Sequence, residues 1–252
     1  MSEDAAPPVG TRTRSARHTM IKPELPELLP LLEQVRPPGA AELVALHWDR
    51  EGPPPDAGSV HLEATVTRRV PGGGRAHATI HQSVHVVDDD DRVRSRTSVA
   101  WRLPVALTPS AAAEWEAADF ASVRWGQRLR DGLTDDARFA RATRGFDGTI
   151  AFEARDRQVH FRIYRGAVID VARKSLDGAT FTVEGTDLAW VELLAADSND
   201  FVRRTSDGRF RVRGSGYQYL RMIKAIMIMI DHARELARDG AGKLEGGEAT
   251  RA

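Results

Sequence analysis

Three histidines, His77, His81 and His85, recur every fourth residue in a stretch that alternates polar and apolar. Alternation sends side chains of one parity to one face of a strand. Thr79 and Ser83 therefore join the histidines, while Ala78, Ile80, Gln82, Val84 and Val86 take the other face. Imidazole exchanges protons near neutral pH and is the commonest neutral metal ligand. The spacing limits what these three can do together. Strand residues four apart are ~13 Å apart, so one metal ion does not take both His77 and His81 without a bulge. His61 and Glu63, on the preceding strand-like run, could approach one of them. His81, His85 and Glu63 are the acid–base candidates. The alternative is a polar sheet face, open to water or covered by a second copy of the chain in a homodimer. No metal site and no cofactor is expected.

Other motifs carry less. Asp88–Asp91 reads as a solvated turn, without the ligand spacing of a calcium loop. Gly72–Gly74 does not enter a helix, which argues against a phosphate cradle. No nucleophile elbow and no Walker sequence is present. The chain has no cysteine, which excludes disulfides, thiolate zinc sites and cysteine nucleophiles. Charge is balanced at 36 basic and 36 acidic residues, so nothing global steers the chain to nucleic acid or to an anionic membrane. Arginine outnumbers lysine 32 to 4, a bias expected of a GC-rich bacterial genome. The first twenty residues lack an apolar run, so no secretory signal is expected and the cytoplasm is the simplest location.

These residues need elements to hold them. Glu42–Trp48, Val60–Arg69, Arg75–Val87 and Val93–Leu103 read as strands, the last three as an antiparallel meander. Pro23–Val35 reads as a short helix limited by Pro26 and Pro30. Thr108 caps a helix with Pro109 at its first position, and that helix is expected to run through Trp115, Phe120 and Trp125 towards Leu133. A short helix follows over Ala137–Thr143. The period then changes to two, in strands over Gly148–Ala154, Gln158–Tyr164, Ala167–Arg173, Thr180–Glu184 and Arg209–Arg213. Thr186 or Asp187 caps a helix through Trp190 and Leu194.

The most apolar stretch is Met222–Ile230, nine residues with one charge. It lies in a helix expected over Tyr217–Arg238. Tyr219, Met222, Ile223, Ile226, Met229, Ile230, Ala233 and Leu236 form its stripe, and Met227 and Ile228 extend the apolar surface beyond it. The stretch is too short to span a bilayer, and Lys224 interrupts it. Such a helix is buried on more than one side, or faces something apolar that is not protein.

From Phe120 to Leu236 the chain resembles the sterol-carrier-protein type 2 family. Four features carry the resemblance in order: Gly145-Phe-Asp-Gly148 feeding Thr149-Ile-Ala-Phe152; a hairpin with Gly166-Ala-Val at its turn; Phe181-Thr-Val-Glu-Gly185 before a helix with Trp190 and Leu194; and Gly208–Gly214 before the long apolar helix. The resemblance implies a five-stranded sheet with helices on one face, enclosing an apolar tunnel walled partly by the last helix. It implies a ligand that is a sterol, a fatty acid or a fatty acyl-CoA, and no catalytic residues. The chain ends Ala249-Thr-Arg-Ala252, without the peroxisomal signal of some members. The first half is similar in part to hot-dog folds of the acyl-dehydratase or thioesterase type, through Thr97-Ser-Val-Ala-Trp101. Their Asp/His signature is missing, so no catalytic residue carries over.

The expectation is an α+β chain: a disordered tail over 1–20, a small antiparallel β domain over 21–105, a sterol-carrier-like domain over 106–238 and a disordered tail over 239–252. Phe161, Ile163, Phe181, Trp190, Leu194, Phe210, Tyr219, Met222, Ile226 and Met229 are the ligand-lining candidates, with Val168, Val183 and Val212 beside them. Each also reads as ordinary core. The chain is expected to carry a lipid or acyl-CoA, with no nucleic acid partner and no stable membrane insertion. The alternative is an enzyme of lipid or polyketide metabolism whose acid–base groups lie in the first domain.

Overall fold

The computed structural model describes residues 6–20, 25–50, 58–72 and 77–245. The chain divides into two compact units, Met1–Ala112 and Ala113–Ala252, and the fold is mixed α+β as expected.

The first unit is built on strands β1 (Arg12–Arg14), β2 (His18–Met20), β3 (Glu42–Arg50), β4 (Gly58–Pro71), β5 (Ala78–Asp88) and β6 (Val93–Leu103). They form one sheet in the order β1-β4-β5-β6-β3, with β2 also pairing to β4. β4, β5 and β6 make the expected meander, antiparallel at every step. The inner face takes Val60, Leu62, Ala64 and Val66 of β4, then Ala78, Ile80, Val84 and Val86 of β5, all buried. Helix α1 (Leu25–Leu32) and a 3-10 turn (Glu33–Val35) contribute Leu28, Leu31, Leu32 and Val35 to the core.

Two expectations fail in this unit. Residues 12–20 are not a tail: β1 and β2 pair with β4, whose edge would otherwise carry unpaired backbone groups. Ser15 locks the join, donating its N–H to Leu62 O at 2.9 Å and accepting the Leu62 N–H on Oγ at 2.9 Å. Residues 1–5 of the expected tail lie outside the described residues. Asp88 is not a solvated turn residue either. It is buried, and its Oδ1 accepts the amides of Asp90 and Arg92 at 2.9 Å each while Oδ2 accepts Arg94 Nε at 2.5 Å. Burial alone would raise its pKa; these hydrogen bonds outweigh that and lower it.

Helix α2 (Pro109–Ala118) spans the division between units, with Thr108 Oγ1 accepting the Ala111 amide at 3.2 Å. The single helix expected through Phe120 to Leu133 is broken. Ala121 has a positive φ of 63°, and Ser122 caps a new helix, α3 (Val123–Leu133), by accepting Trp125 N–H. α4 (Ala137–Thr143) follows, capped by Asp136.

The second sheet contains β7 (Asp147–Ala154), β8 (Arg157–Tyr164), β9 (Ala167–Ala172), β10 (Phe181–Gly185) and β11 (Phe210–Gly214), in the order β11-β10-β7-β8-β9. β10 runs parallel to β7 and the other pairs are antiparallel. Arg165 and Gly166, with φ of 47° and 95°, close the β8–β9 hairpin as a tight turn whose twist suits the strands. β9 and β10 therefore run the same way with two strands between them. The segment 173–180 joins them across the helix-free face: Ser175 N–H donates to His160 Nδ1 at 3.1 Å, and Thr180 N–H to Thr149 O at 2.8 Å. On the other face lie α5 (Asp187–Ala195), α6 (Phe201–Ser206) and α7 (Gly216–Glu245) together with α3 and α4. α7 runs beyond Arg238, where a tail was expected, to Glu245; residues 246–252 lie outside the described residues. Among the described residues no helix is long and apolar enough to cross a membrane.

Candidate functional site

The space between the second sheet and its helices collects all ten ligand-lining candidates. Phe161 and Ile163 stand on β8, Phe181 on β10 and Phe210 on β11, all on the helix-bearing face. Trp190 and Leu194 come down from α5, and Tyr219, Met222, Ile226 and Met229 from α7. Nine are buried and Tyr219 is half-buried against the same cluster. Val183 is buried with them, and Val168 and Val212 are half-buried.

The interior has two textures. Towards α3 and α5 it is a lattice of rings. Phe120 lies 4.4 Å from Trp190 and 4.5 Å from Trp125, centroid to centroid, and Trp190 lies 4.7 Å from Phe210 and 5.3 Å from Phe152. Gly185 makes room for it, since a Cβ there would meet Phe210 at 2.6 Å. Towards α7 the lining is aliphatic and thioether: Met222, Ala225, Ile226, Met229 and Ile230, with Tyr219 edge-on to Phe181 at 5.8 Å. Unbranched methionine adapts its shape more readily than a ring does.

α7 is enclosed on three sides. Its inward stripe is Met222, Ala225, Ile226, Met229, Ile230 and Ala233, all buried. On one flank His232 reaches Asp136, and on the other Asn199 Nδ2 donates to Met227 O at 2.9 Å and to Asp231 Oδ1 at 2.8 Å. Ile223 was expected to pack inward; it is half-buried with Met227 on that second flank. Ile228 is buried, so that part of the apolar surface beyond the stripe is covered by protein.

Several polar groups around this interior find partners where they stand. Trp190 Nε1 donates to Glu153 O at 2.9 Å, and Thr143 Oγ1 to Phe139 O at 2.8 Å. Buried Arg157, at the start of β8, binds both Asp119 and Asp187 and ties the α2–α3 link to the head of α5. Its charge is answered at the rim and does not enter the core.

The first unit places the acid–base candidates on the outer face of its sheet. Strand parity is as expected: the inner residues of β5 are buried, and Thr79, His81, Ser83 and His85 are half-buried. Glu63 stands directly opposite His85 in the β4–β5 register, and His81 faces Arg68 beyond a bulge. Glu63 also hydrogen-bonds Arg14, and His61 Nε2 lies 3.3 Å from its Oε1. The Arg14 hydrogen bond above all, joined by His61, holds the Glu63 carboxyl below the usual range. Glu63 is thus a carboxylate at neutral pH and not a proton donor. Among the described residues no group of three or more His, Asp or Glu side chains has the geometry to hold a metal ion.

A further cleft went unread in the sequence. Gly132, Asp135, Asp136, Ala137, Arg138 and His232 line an open depression of about 460 Å³. His232 Nε2 sits 2.9 Å from Asp136 Oδ2, and Glu235 lies 3.5 Å from Nδ1. Asp136 also caps α4 through the amides of Arg138 and Phe139. The Arg138 guanidinium foremost, then His232 and these amides, override the cost of burial and hold its carboxyl far below the usual range. With every oxygen engaged, the pair clamps α4 to α7. Residues 96 positions apart share no sequence pattern that would announce such a pair.

No protein-family model matches the chain, and no curated protein matches it. Among solved structures the chain is similar to a crystal structure of sterol carrier protein 2, at 16% identity, a TM-score of 0.41, and coverage of 46% of this chain and 98% of that one. It is similar to a UbiJ-SCP2 ubiquinone synthesis protein at 16% identity and a TM-score of 0.34, over 44% of this chain and 90% of that one. It is also similar to a MaoC-like dehydratase from Rhodospirillum rubrum at 17% identity and a TM-score of 0.33, over 40% of this chain and 94% of that one.

Proposed function

We propose that the second unit holds the hydrocarbon part of a lipid, a sterol, a fatty acid or a fatty acyl-CoA, between its sheet and α7, and that the chain is a bacterial cytoplasmic lipid carrier. Phe181, Tyr219, Met222, Ile226 and Met229 flank the ligand. Phe161, Ile163, Trp190, Leu194 and Phe210 form the firmer wall behind it. The first unit governs access or association. One observation carries this reading: the interior under α7 presents carbon and sulfur, and charged Arg157 stands at its rim. Such a surface rewards an apolar guest and offers a polar substrate no partner. Burying a chain of ~20 carbons at about 0.8 kcal/mol per CH₂ gives on the order of 10 kcal/mol before association costs. The methionine lining is the part able to move aside.

The test is native mass spectrometry of the protein as purified, after delipidation and after incubation with oleate. A lipid-sized mass that leaves and returns is expected. A chain that carries no lipid and takes none up has a filled core, and the reading fails.

A second reading makes the first unit an enzyme of lipid or polyketide metabolism, and the register that sets Glu63 opposite His85 favours it. Its proton acceptors are His81, His85 and the Glu63 carboxylate. Double replacement His81→Ala/His85→Ala leaving hydration or hydrolysis of acyl-CoA substrates unchanged would remove this reading.

A further inference from the structure

We propose that the segment 173–180 is a strap on the second unit that lifts from its sheet when His160 takes up a proton, and that its lifting loosens the start of α7 and weakens the hold on the lipid. The strap crosses the helix-free face between β9 and β10. The register sets His160 of β8 between Ala151 of β7 and Ala172 of β9, with Thr182 of β10 beyond Ala151. His160, Ala151, Thr149 and Thr182 belong to this outer face, yet all four are buried. Small side chains beside the ring leave room for a covering segment.

The strap is tied at both ends. At its front, Ser175 N–H donates to His160 Nδ1 at 3.1 Å, and Ser175 O accepts the Gly178 amide at 3.1 Å to close a turn. Leu176 stands fully exposed on that turn. At its back, Thr180 N–H donates to Thr149 O at 2.8 Å, and Thr180 Oγ1 accepts the Thr149 amide at 3.0 Å. Thr180 O in turn accepts Ser215 N–H at 2.9 Å. Ser215 immediately precedes α7: its O accepts the Tyr219 amide at 3.0 Å, and its Oγ accepts that of Gln218 at 3.3 Å. Phe181, next to Thr180, packs edge-on against Tyr219. The strap thus links His160 to the α7 side of the ligand site.

An imidazole that accepts at Nδ1 carries its proton on Nε2 and is neutral. His160 Nε2 is buried and, among the described residues, has no hydrogen-bond partner. A second proton has to go on Nδ1. It removes the acceptor of Ser175 N–H, sets two donors against each other and leaves a charge shut away from water. The charged groups around the ring do not offset this. Arg162 shares the face on β8. Glu153 of β7 is held by Arg213 and Gln158, and Glu184 of β10 by Arg213. Asp170 of β9 and Asp177 of the strap are exposed, and neither hydrogen-bonds the ring. Burial first, then Lys174 of the strap, keeps the ring below its ordinary pKa while the strap is down. Lifting the strap hydrates the ring and restores the ordinary value, so proton uptake favours the open form. The consequence for the lipid rests on the carrier reading; the strap itself does not.

The test is amide hydrogen exchange of the full chain, read as protection factors between about pH 7.5 and about pH 5. Beside it runs binding of dehydroergosterol, a fluorescent sterol with no titratable group. Protection at Ser175 and Thr180, and with it at Ser215 and Tyr219, should fall on the order of tenfold across that range, as one proton dictates, while the amides of α3 keep theirs. His160→Gln retains an acceptor for Ser175 and takes no proton, so its strap should stay protected at both ends of the range. Sterol affinity should fall with the strap in the parent and hold in the variant. A strap that stays down in the parent, or still lifts in His160→Gln, overturns the switch. A strap that lifts with sterol affinity unchanged overturns its coupling to the ligand site. A lifting strap in a chain that binds no sterol, and carries no lipid by native mass spectrometry, supports the switch and removes the carrier reading.

Discussion

The two sheets solve one problem in opposite ways. Each packs one mainly apolar face into a core; the first brings a hydrogen-bonded amide, Gln82, into the middle of that face, and the second lines it with rings and aliphatic side chains. In the first unit Gln82 sits among the inner residues of β5, accepting Trp101 Nε1–H on Oε1 at 2.7 Å and donating from Nε2 to Val35 O at 3.1 Å. That network pins the 3-10 turn in one register, because a buried amide must find all its partners. In the second unit the interior is rings on one side and methionine and isoleucine on the other, with its hydrogen bonds at the rim. Directional contacts favour one arrangement; dispersion contacts tolerate several. The comparison locates shape tolerance in the second unit and rigidity in the first. It also separates the chemistry: the proton-exchanging candidates are on an outer face, the apolar candidates in an interior.

The largest expected effect tests the ring lattice. Trp190→Ala removes ring contacts and the bond to Glu153 O, and should cost about 3–5 kcal/mol in urea unfolding; a loss below about 1 kcal/mol would show that this side is as deformable as the α7 side. Gln82→Ala comes next. It leaves the Trp101 N–H and the Val35 carbonyl buried without partners, and about 1–3 kcal/mol should be lost from the first unit. A neutral Gln82→Ala would mean that the polar network does not order that core.

pH should separate two groups of the second unit. His160 is buried with Nδ1 accepting from Ser175, and burial first, then Lys174, depresses its pKa below 6.5. The folded state keeps it neutral while the unfolded chain takes up a proton. Its contribution is therefore complete above pH about 6.5 and is lost as pH falls towards the lower folded value. Asp136 is also depressed, so its contribution holds above about pH 4 and disappears further into acid. Urea midpoints followed from pH 8 to 3, as roughly the span that covers both groups, should fall in two stages. His160→Gln, which keeps an acceptor for Ser175, should flatten the upper stage and Asp136→Asn the lower. An unchanged profile in either variant would refute that assignment. The smallest effect belongs to Glu63→Gln. Arg14 and Glu63 are 62% and 42% exposed, so solvent screens the pair and stability should change by less than about 1 kcal/mol.

Much of the fold was legible in single segments. The alternation over β5 separated the histidines from the aliphatic face, the Thr108–Pro109 start of α2 was read from its cap, and α4 falls where expected. The misreadings share a cause. Three-residue strands such as β1 and β2 are too short to show a period, and they exist because the edge of β4 pairs with them. The break at Ala121 has a local sign in Ser122, a good capping residue that the surrounding tryptophan spacing concealed. Asp88 looked like one of four equal acids until the turn placed three donors around it. The crossover of 173–180 and the Asp136–His232 clamp depend on segments remote in sequence.

The sequence by itself determined which faces are apolar, where most helices and strands lie, and that α7 has more apolar surface than one contact needs. Period and turn chemistry are local, and local physics suffices for them. Tertiary structure alone decided what meets those faces: Ile228 covered by protein, Ile223 left at the flank, rings gathered under α5 and methionines under α7. It also brought Asp136 against His232, 96 positions apart, and set Arg157 between Asp119 and Asp187. Charge and shape at a surface are sums over segments that only folding brings together.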